Sequence, residues 1–136
     1  MTGRRSPEPR PRPGAGPLLA CEFDHGTLVR VRHEVERVCR LWGLADLTLY
    51  RFVVAVNEIT TNAVRHGGGH GHLRLWEQGR RLYCRVLDQG PGGAAEPRLP
   101  PPEHPRGRGL WLARNNVERF TLHSDAHGTT IVLETS

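Results

Sequence analysis

A chain of 136 residues has room for one domain and one modest core, and 37% hydrophobic with 24% charged residues is the balance of a folded, water-exposed protein. All 19 basic residues are arginine against 14 acidic ones, so the net charge is +5 and chemistry that needs a lysine is excluded, Schiff bases and a Walker-type phosphate lysine among it. The positive balance favours anionic partners such as phosphates, acidic protein surfaces or nucleic acid, although a GC-rich genome accounts for an all-arginine choice equally well.

The first seventeen residues, "MTGRRSPEPRPRPGAGP", carry almost no apolar side chains and many prolines. They cannot offset the entropy of ordering, which predicts a disordered tail over 1–17 and a folded domain over 18–136. The tail has no apolar segment of the kind a secretion signal needs.

"LLACEF", Leu18 to Phe23, reads as a first strand. A helix is expected from Gly26 to Trp42, with Leu28, Val31, Val35, Val38, Cys39 and Trp42 on one side. "GLAD" breaks it. The second helix is expected from Asp46, as N-cap, to His66, where three glycines stop it. At about 100° per residue its core face is Leu49, Phe52, Val56, Ile59, Thr60 and Ala63. Glu58 and Asn62 point the other way, with Arg51 and Arg65, and their four-residue spacing stacks them one turn apart. A solvated polar face is the plain alternative for that pair.

"HLRLWE" and "RLYCRVLD" read as two strands joined in a hairpin-like turn at Gln78 and Gly79. Residues 90–105 are too rich in proline for a helix or an inner strand, so they form a long loop. "GRGLWLARNNVERF" returns to helical spacing through Leu110, Leu112, Ala113, Val117 and Phe120. "FTLHS" and "TTIVLET" close the chain as an antiparallel pair around "DAHG". This order of elements predicts an α+β two-layer sandwich, helices on one face of a mainly antiparallel sheet.

Cys21, Cys39 and Cys84 are odd in number and form no CxxC pair, which suits buried free thiols in a reducing cytoplasm. No apolar run approaches the roughly 18 to 20 residues that cross a bilayer. His66, His70 and His72 in "HGGGHGH" make a poor preformed zinc cage, with glycines between them and no carboxylate or thiolate. Trp42, Trp76 and Trp111 each lie in an apolar pattern and are expected to pack rather than to stack on bases.

Three polar elements remain, in order. "NEITTNAVRHG" (Asn57 to Gly67) holds the Glu58–Asn62 pair, and "DQGPG" sets the acceptor-only carboxylate of Asp88 at a strand end beside glycines. "GRGL" (Gly107 to Leu110) opens a helix, where backbone N–H groups and the helix dipole suit a phosphate. "GTT" then leads into the last strand. Taken together they resemble the GHKL ATPase superfamily, named for gyrase, a heat-shock chaperone, histidine kinases and a mismatch-repair protein, whose Bergerat fold is a two-layer sandwich of this kind. "NEITTNAVRHG" is similar to the N-box, "DQGPG" to the first glycine box and "GRGL" to the second. The branch it most resembles is the small stand-alone anti-sigma-factor serine/threonine kinases of bacteria, whose N-box runs NExxxNAxxHG. Ile59 departs from the alanine frequent in that branch, and Gly68 and Gly69 replace an aromatic.

The resemblance implies ATP and Mg²⁺ as ligands. By it, Asp88 accepts a hydrogen bond from the adenine amino group, and Thr130 helps hold a water at the same edge. Gly90 and Gly92 line the first box, and Gly107, Arg108, Gly109 and Leu110 cradle the phosphates. Asn62 gives an oxygen to Mg²⁺, and Glu58 acts as catalytic base toward an attacking hydroxyl. Arg106 and Arg108 can neutralise transferring charge. The implied partners are a sigma factor and a STAS-type anti-anti-sigma protein, with a homodimer as the state common in the branch, cytoplasmic, off the membrane and without direct contact to nucleic acid. The alternative is an ATP-binding regulatory module that acts by protein binding with little or no phosphotransfer.

Overall fold

The computed structural model describes residues 16–90 and 107–136. The tail up to residue 15, most of the long loop, Gly92 and Arg106 lie outside the described residues. The elements run β1 (Leu19–Asp24), α1 (Leu28–Trp42), α2 (Asp46–His66), β2 (His70–Gln78), β3 (Arg81–Asp88), α3 (Gly107–Asn115), β4 (Arg119–Asp125) and β5 (Gly128–Thr135). The five strands form one sheet in the order β1-β2-β3-β5-β4, every neighbouring pair antiparallel. The α+β sandwich expected from the element order is what forms.

Alternation along the strands sorts the sheet into two faces. Leu73, Leu75, Leu82, Cys84, Val86, Ile131 and Leu133 point to one side and meet the helices. From α2 come Phe52, Ala55, Val56, Ile59 and Ala63, each at most 1% exposed, and from α1 Val31, Val35 and Cys39. Removing such a side chain as Phe52 costs about 3–5 kcal/mol. Burial pushes the Cys39 thiol up to about 12 and the Cys84 thiol well above its ordinary value, so both stay neutral packing groups. On the opposite face, Trp76 and Tyr83 stack with centroids 5.3 Å apart, next to Val132, in a cluster of their own. Trp76 therefore packs, but not in the core between the layers.

Local chemistry sets the element ends. The Gly79–Arg80 turn has φ 61 and 65, the left-handed pair that a two-residue hairpin requires. Before α1, the Asp24 N–H donates to Thr27 Oγ1 (2.9 Å) and the Thr27 N–H to Asp24 Oδ1 (3.1 Å). Those bonds hold Gly26 outside the helix, so α1 begins two residues later than its periodicity suggests. Asp46 is not the N-cap of α2: Ala45 is, and Asp46 is the first helical residue, at φ 53, with no side-chain cap bond. Its charge still lies in the first turn, the favourable end of the helix dipole.

The third helix also ends early. The Asn116 side chain donates to the Leu112 carbonyl (2.7 Å) and its N–H to Ala113 O (3.1 Å), closing α3 at Asn115. Val117 and Phe120 then pack on the core from the strand side instead of continuing the helical stripe.

Candidate functional site

Along α2 the polar stripe begins at Glu58. A Cβ built on Gly109 would stand 2.6 Å from Glu58 Oε1, so the glycine lets the first turn of α3 sit directly on the carboxylate. The first four N–H groups of a helix have no intrahelical partner, and a carboxylate there gains about 0.3–1 kcal/mol from the dipole. Leu110 is buried in the core and anchors that turn, while Arg108 is exposed. Asn62 follows Glu58 by one turn and is half-buried. Arg32 of α1 braces the same stretch, its guanidinium donating to Thr61 Oγ1 at 2.7 Å. Arg32 Nε and Asn57 Oδ1 are a buried donor and a buried acceptor without hydrogen-bond partners among the described residues.

The other end of the stripe meets Asp88. A Cβ on Gly67, just past α2, would come within 2.3 Å of Asp88 Cγ, and one on Gly90 within 2.4 Å of Gly67 Cα. The ends of α2 and β3 therefore meet so closely that neither glycine could carry a side chain. The Gly90 N–H donates to Asp88 Oδ1 at 3.1 Å, and Asp88 is only 8% exposed. Gly128, at φ 146, brings β5 so close that its Cβ would lie 1.9 Å from the Asp88 carbonyl. From Glu58 to Gly67 the helix rises about 13 Å. The structure thus joins Glu58 to Gly109 at one end and Asp88 to Gly90 at the other, with Asn62 between.

One expected contact moves. The β3–β5 register sets Asp88 across from Thr129 and Thr130 across from Leu87. Directly paired residues share a face, so Thr129 stands on the inner face with Asp88, and Thr130 on the outer face with Val132. The hydroxyl beside Asp88 belongs to Thr129, not Thr130. Strand parity was the available signal, because Thr129 alternates in step with the core residues Ile131 and Leu133. Gly67 and Gly128, absent from the expected contacts, prove to shape the site as closely as Gly90 does.

Among the described residues, no group of three or more His, Cys, Asp or Glu stands together as a metal cage. Glu58 and Asn62 are hard oxygen donors one turn apart. Such a pair suits Mg²⁺, which takes few protein ligands and fills its other positions with phosphates and water. The carboxylate among glycines offers only an acceptor at one end, and the open helix start offers N–H donors to an anion at the other.

The profile of the histidine kinase-like ATPase domain family matches residues 21–135. This chain belongs to that family. Among solved structures, the chain resembles the RsbU and RsbW domains of Rv1364c from Mycobacterium tuberculosis, with a TM-score of 0.64 and 20% identity over 86% of this chain and 32% of that one. It also resembles the histidine kinase domain of the blue-light activated histidine kinase EL346 from Erythrobacter litoralis, with a TM-score of 0.53 and 19% identity over 88% of this chain and 64% of the other. The chain therefore spans about a third of the first and under two thirds of the second, and at these identities the likeness shows a shared fold. No curated protein matches the chain. Family and fold agree with the GHKL resemblance read from the three motifs, and a histidine kinase-like ATPase domain is what they support. Among the described residues no helix is long and apolar enough to cross a membrane.

Proposed function

We propose that this protein is a cytoplasmic ATP-binding anti-sigma factor that transfers a phosphoryl group from ATP to a serine or threonine of a STAS-type anti-anti-sigma protein. The observation that carries the reading is the seating of Glu58 on the first turn of α3, at the Gly109 contact, with Asn62 one turn away. A base for a hydroxyl nucleophile must lie where the phosphates are held, and the start of α3 is the anion-binding end of that helix.

In this reading Asp88 accepts the adenine amino hydrogen and Thr129 stands at the same edge. Gly107, Arg108, Gly109 and the N–H of Leu110 hold phosphates, with Gly90 and Gly92 along the first glycine box. Asn62 offers its oxygen to Mg²⁺, whose chemistry there is to neutralise phosphate charge. Glu58 orients the incoming hydroxyl and takes up its proton. Arg108, exposed at the head of α3, balances charge during transfer. The N-box match to anti-sigma kinases supports the serine/threonine specificity, the sigma-factor and antagonist partners, and a homodimer.

Glu58→Gln tests it. The variant is expected to bind Mg²⁺-ATP as the wild type does, while phosphate transfer to the antagonist falls about 10²- to 10⁴-fold. Equal transfer by both proteins would remove Glu58 from the mechanism. A wild type that binds ATP and transfers nothing would leave the protein as a nucleotide-dependent binding module.

A further inference from the structure

The inner face of the sheet changes character in one step at its site end. Val86, Ile131 and Leu122 stand side by side across β3, β5 and β4, and all three pack in or against the core. The next row on the same face is Asp88, Thr129 and Ser124, each directly paired with its neighbour. Three apolar side chains thus give way to a carboxylate and two hydroxyls. Ser124 Oγ lies 3.1 Å from Thr129 Oγ1, and either can donate. Thr129 and Ser124 are half-buried, so the row is neither core nor open surface.

A carboxylate only accepts, so it receives the adenine amino group but opposes the carbonyl oxygen that guanine carries at that position. The neighbouring ring nitrogen also differs, being an acceptor in adenine and an N–H donor in guanine. A lone hydroxyl beside it does not discriminate, because its hydrogen rotates to suit either partner. A hydroxyl that already accepts a hydrogen bond from a second one is biased to point its own hydrogen away from that donor.

We propose that Ser124 is a positioning residue for base selection: it donates to Thr129 Oγ1 and so directs the Thr129 hydrogen toward the ring nitrogen of adenine, in direct contact. This rests on the reading of Asp88 as the adenine acceptor. Guanine then meets an acceptor opposite its oxygen and a donor opposite its N–H, and is rejected at two points. Without Ser124, Thr129 turns to accept, and one of those points is lost.

The test is calorimetric affinity for ATP and for GTP on the wild type, Ser124→Ala and Ser124→Thr, with thermal unfolding of each as a check on folding. Ser124→Ala is expected to lower the ATP-over-GTP preference by roughly three- to tenfold, the range of one net hydrogen bond, with an unfolding midpoint close to the wild type. Ser124→Thr restores the hydroxyl and is expected to recover the preference. An unchanged preference in Ser124→Ala, or a loss that Ser124→Thr fails to repair, overturns this inference while leaving Asp88 as the adenine acceptor. A folded wild type that binds neither nucleotide overturns the pocket reading and this inference with it.

Discussion

Strand β3 begins at Arg81 and ends at Asp88, and the two ends set a charged group in different surroundings, a cluster of ionic side chains at one and close-packed glycine backbone at the other. At the Arg81 end the charges answer one another: Arg81 contacts both Glu118 and Glu134, and Arg119 Nε lies 3.7 Å from Glu134 Oε1. Ser136 joins in, its N–H and hydroxyl donating to Glu118 Oε2 at 3.2 and 2.9 Å. At the Asp88 end, glycine backbone presses in around the carboxylate, and the Gly90 N–H donates to Asp88 Oδ1. A cluster that neutralises itself with side chains closes a sheet end. In the proposed reading, the glycine-lined carboxylate serves as the acceptor for a molecule from outside.

The largest expected break of this contrast comes from filling the cradle. Gly128→Ala brings a methyl carbon to 1.9 Å from the Asp88 carbonyl at a φ of 146, which L-residues rarely adopt. Overpacking and backbone strain together predict a loss of about 3 kcal/mol or more, read as a lower denaturant midpoint, with nucleotide binding lost as well. Near-normal stability would show that β5 is not held against Asp88 as described.

The interior between the two ends offers an intermediate effect. Burial raises all three thiols, but Cys39 and Cys84 are sealed in the core while Cys21 is only half-buried. In native protein an alkylating reagent at mildly alkaline pH is expected to label Cys21 first and the other two only on unfolding, as mass spectrometry would show. Equal labelling of all three would contradict a closed core.

The smallest effect lies at the Arg81 end. Hydrogen bonds from Ser136, then the Arg81 guanidinium, hold the Glu118 carboxyl below the usual carboxylate range. A lowered folded-state value adds stability that is fully present above the ordinary carboxylate range and is lost as pH falls through the lowered value. Glu118→Gln should therefore flatten the acid limb of the stability–pH curve and cost under about 1 kcal/mol at neutral pH, because the pair is exposed and screened. Nucleotide affinity should not change, and a change would mean the two ends are coupled.

Most of this architecture was legible in the sequence because it rests on periodicity. The bounds of α2 follow from its apolar stripe and the glycines after His66, and the hairpin from a glycine turn between two alternating runs. What escaped is set by contacts between distant segments. The meeting of Gly67 with Gly90 needs α2 and β3 placed together, and no local pattern encodes it. The end of α3 turned on one side chain, Asn116, competing for a helix carbonyl. Thr129 was readable from strand parity, but two adjacent threonines match the motif equally well until the register decides between them. Glu58, Asn62 and Asp88 could be named from their motifs, whereas the pressing of Glu58 against Gly109 required the fold.

The central claim is that the Asp88 cradle takes the base of ATP. Calorimetric titration of Mg²⁺-ATP into the wild type and Asp88→Ala tests it most directly. The account predicts saturable binding by the wild type and none by a folded Asp88→Ala. Equal affinity in the two proteins would contradict it, and would leave the glycine-lined carboxylate as a feature of the fold rather than of nucleotide recognition.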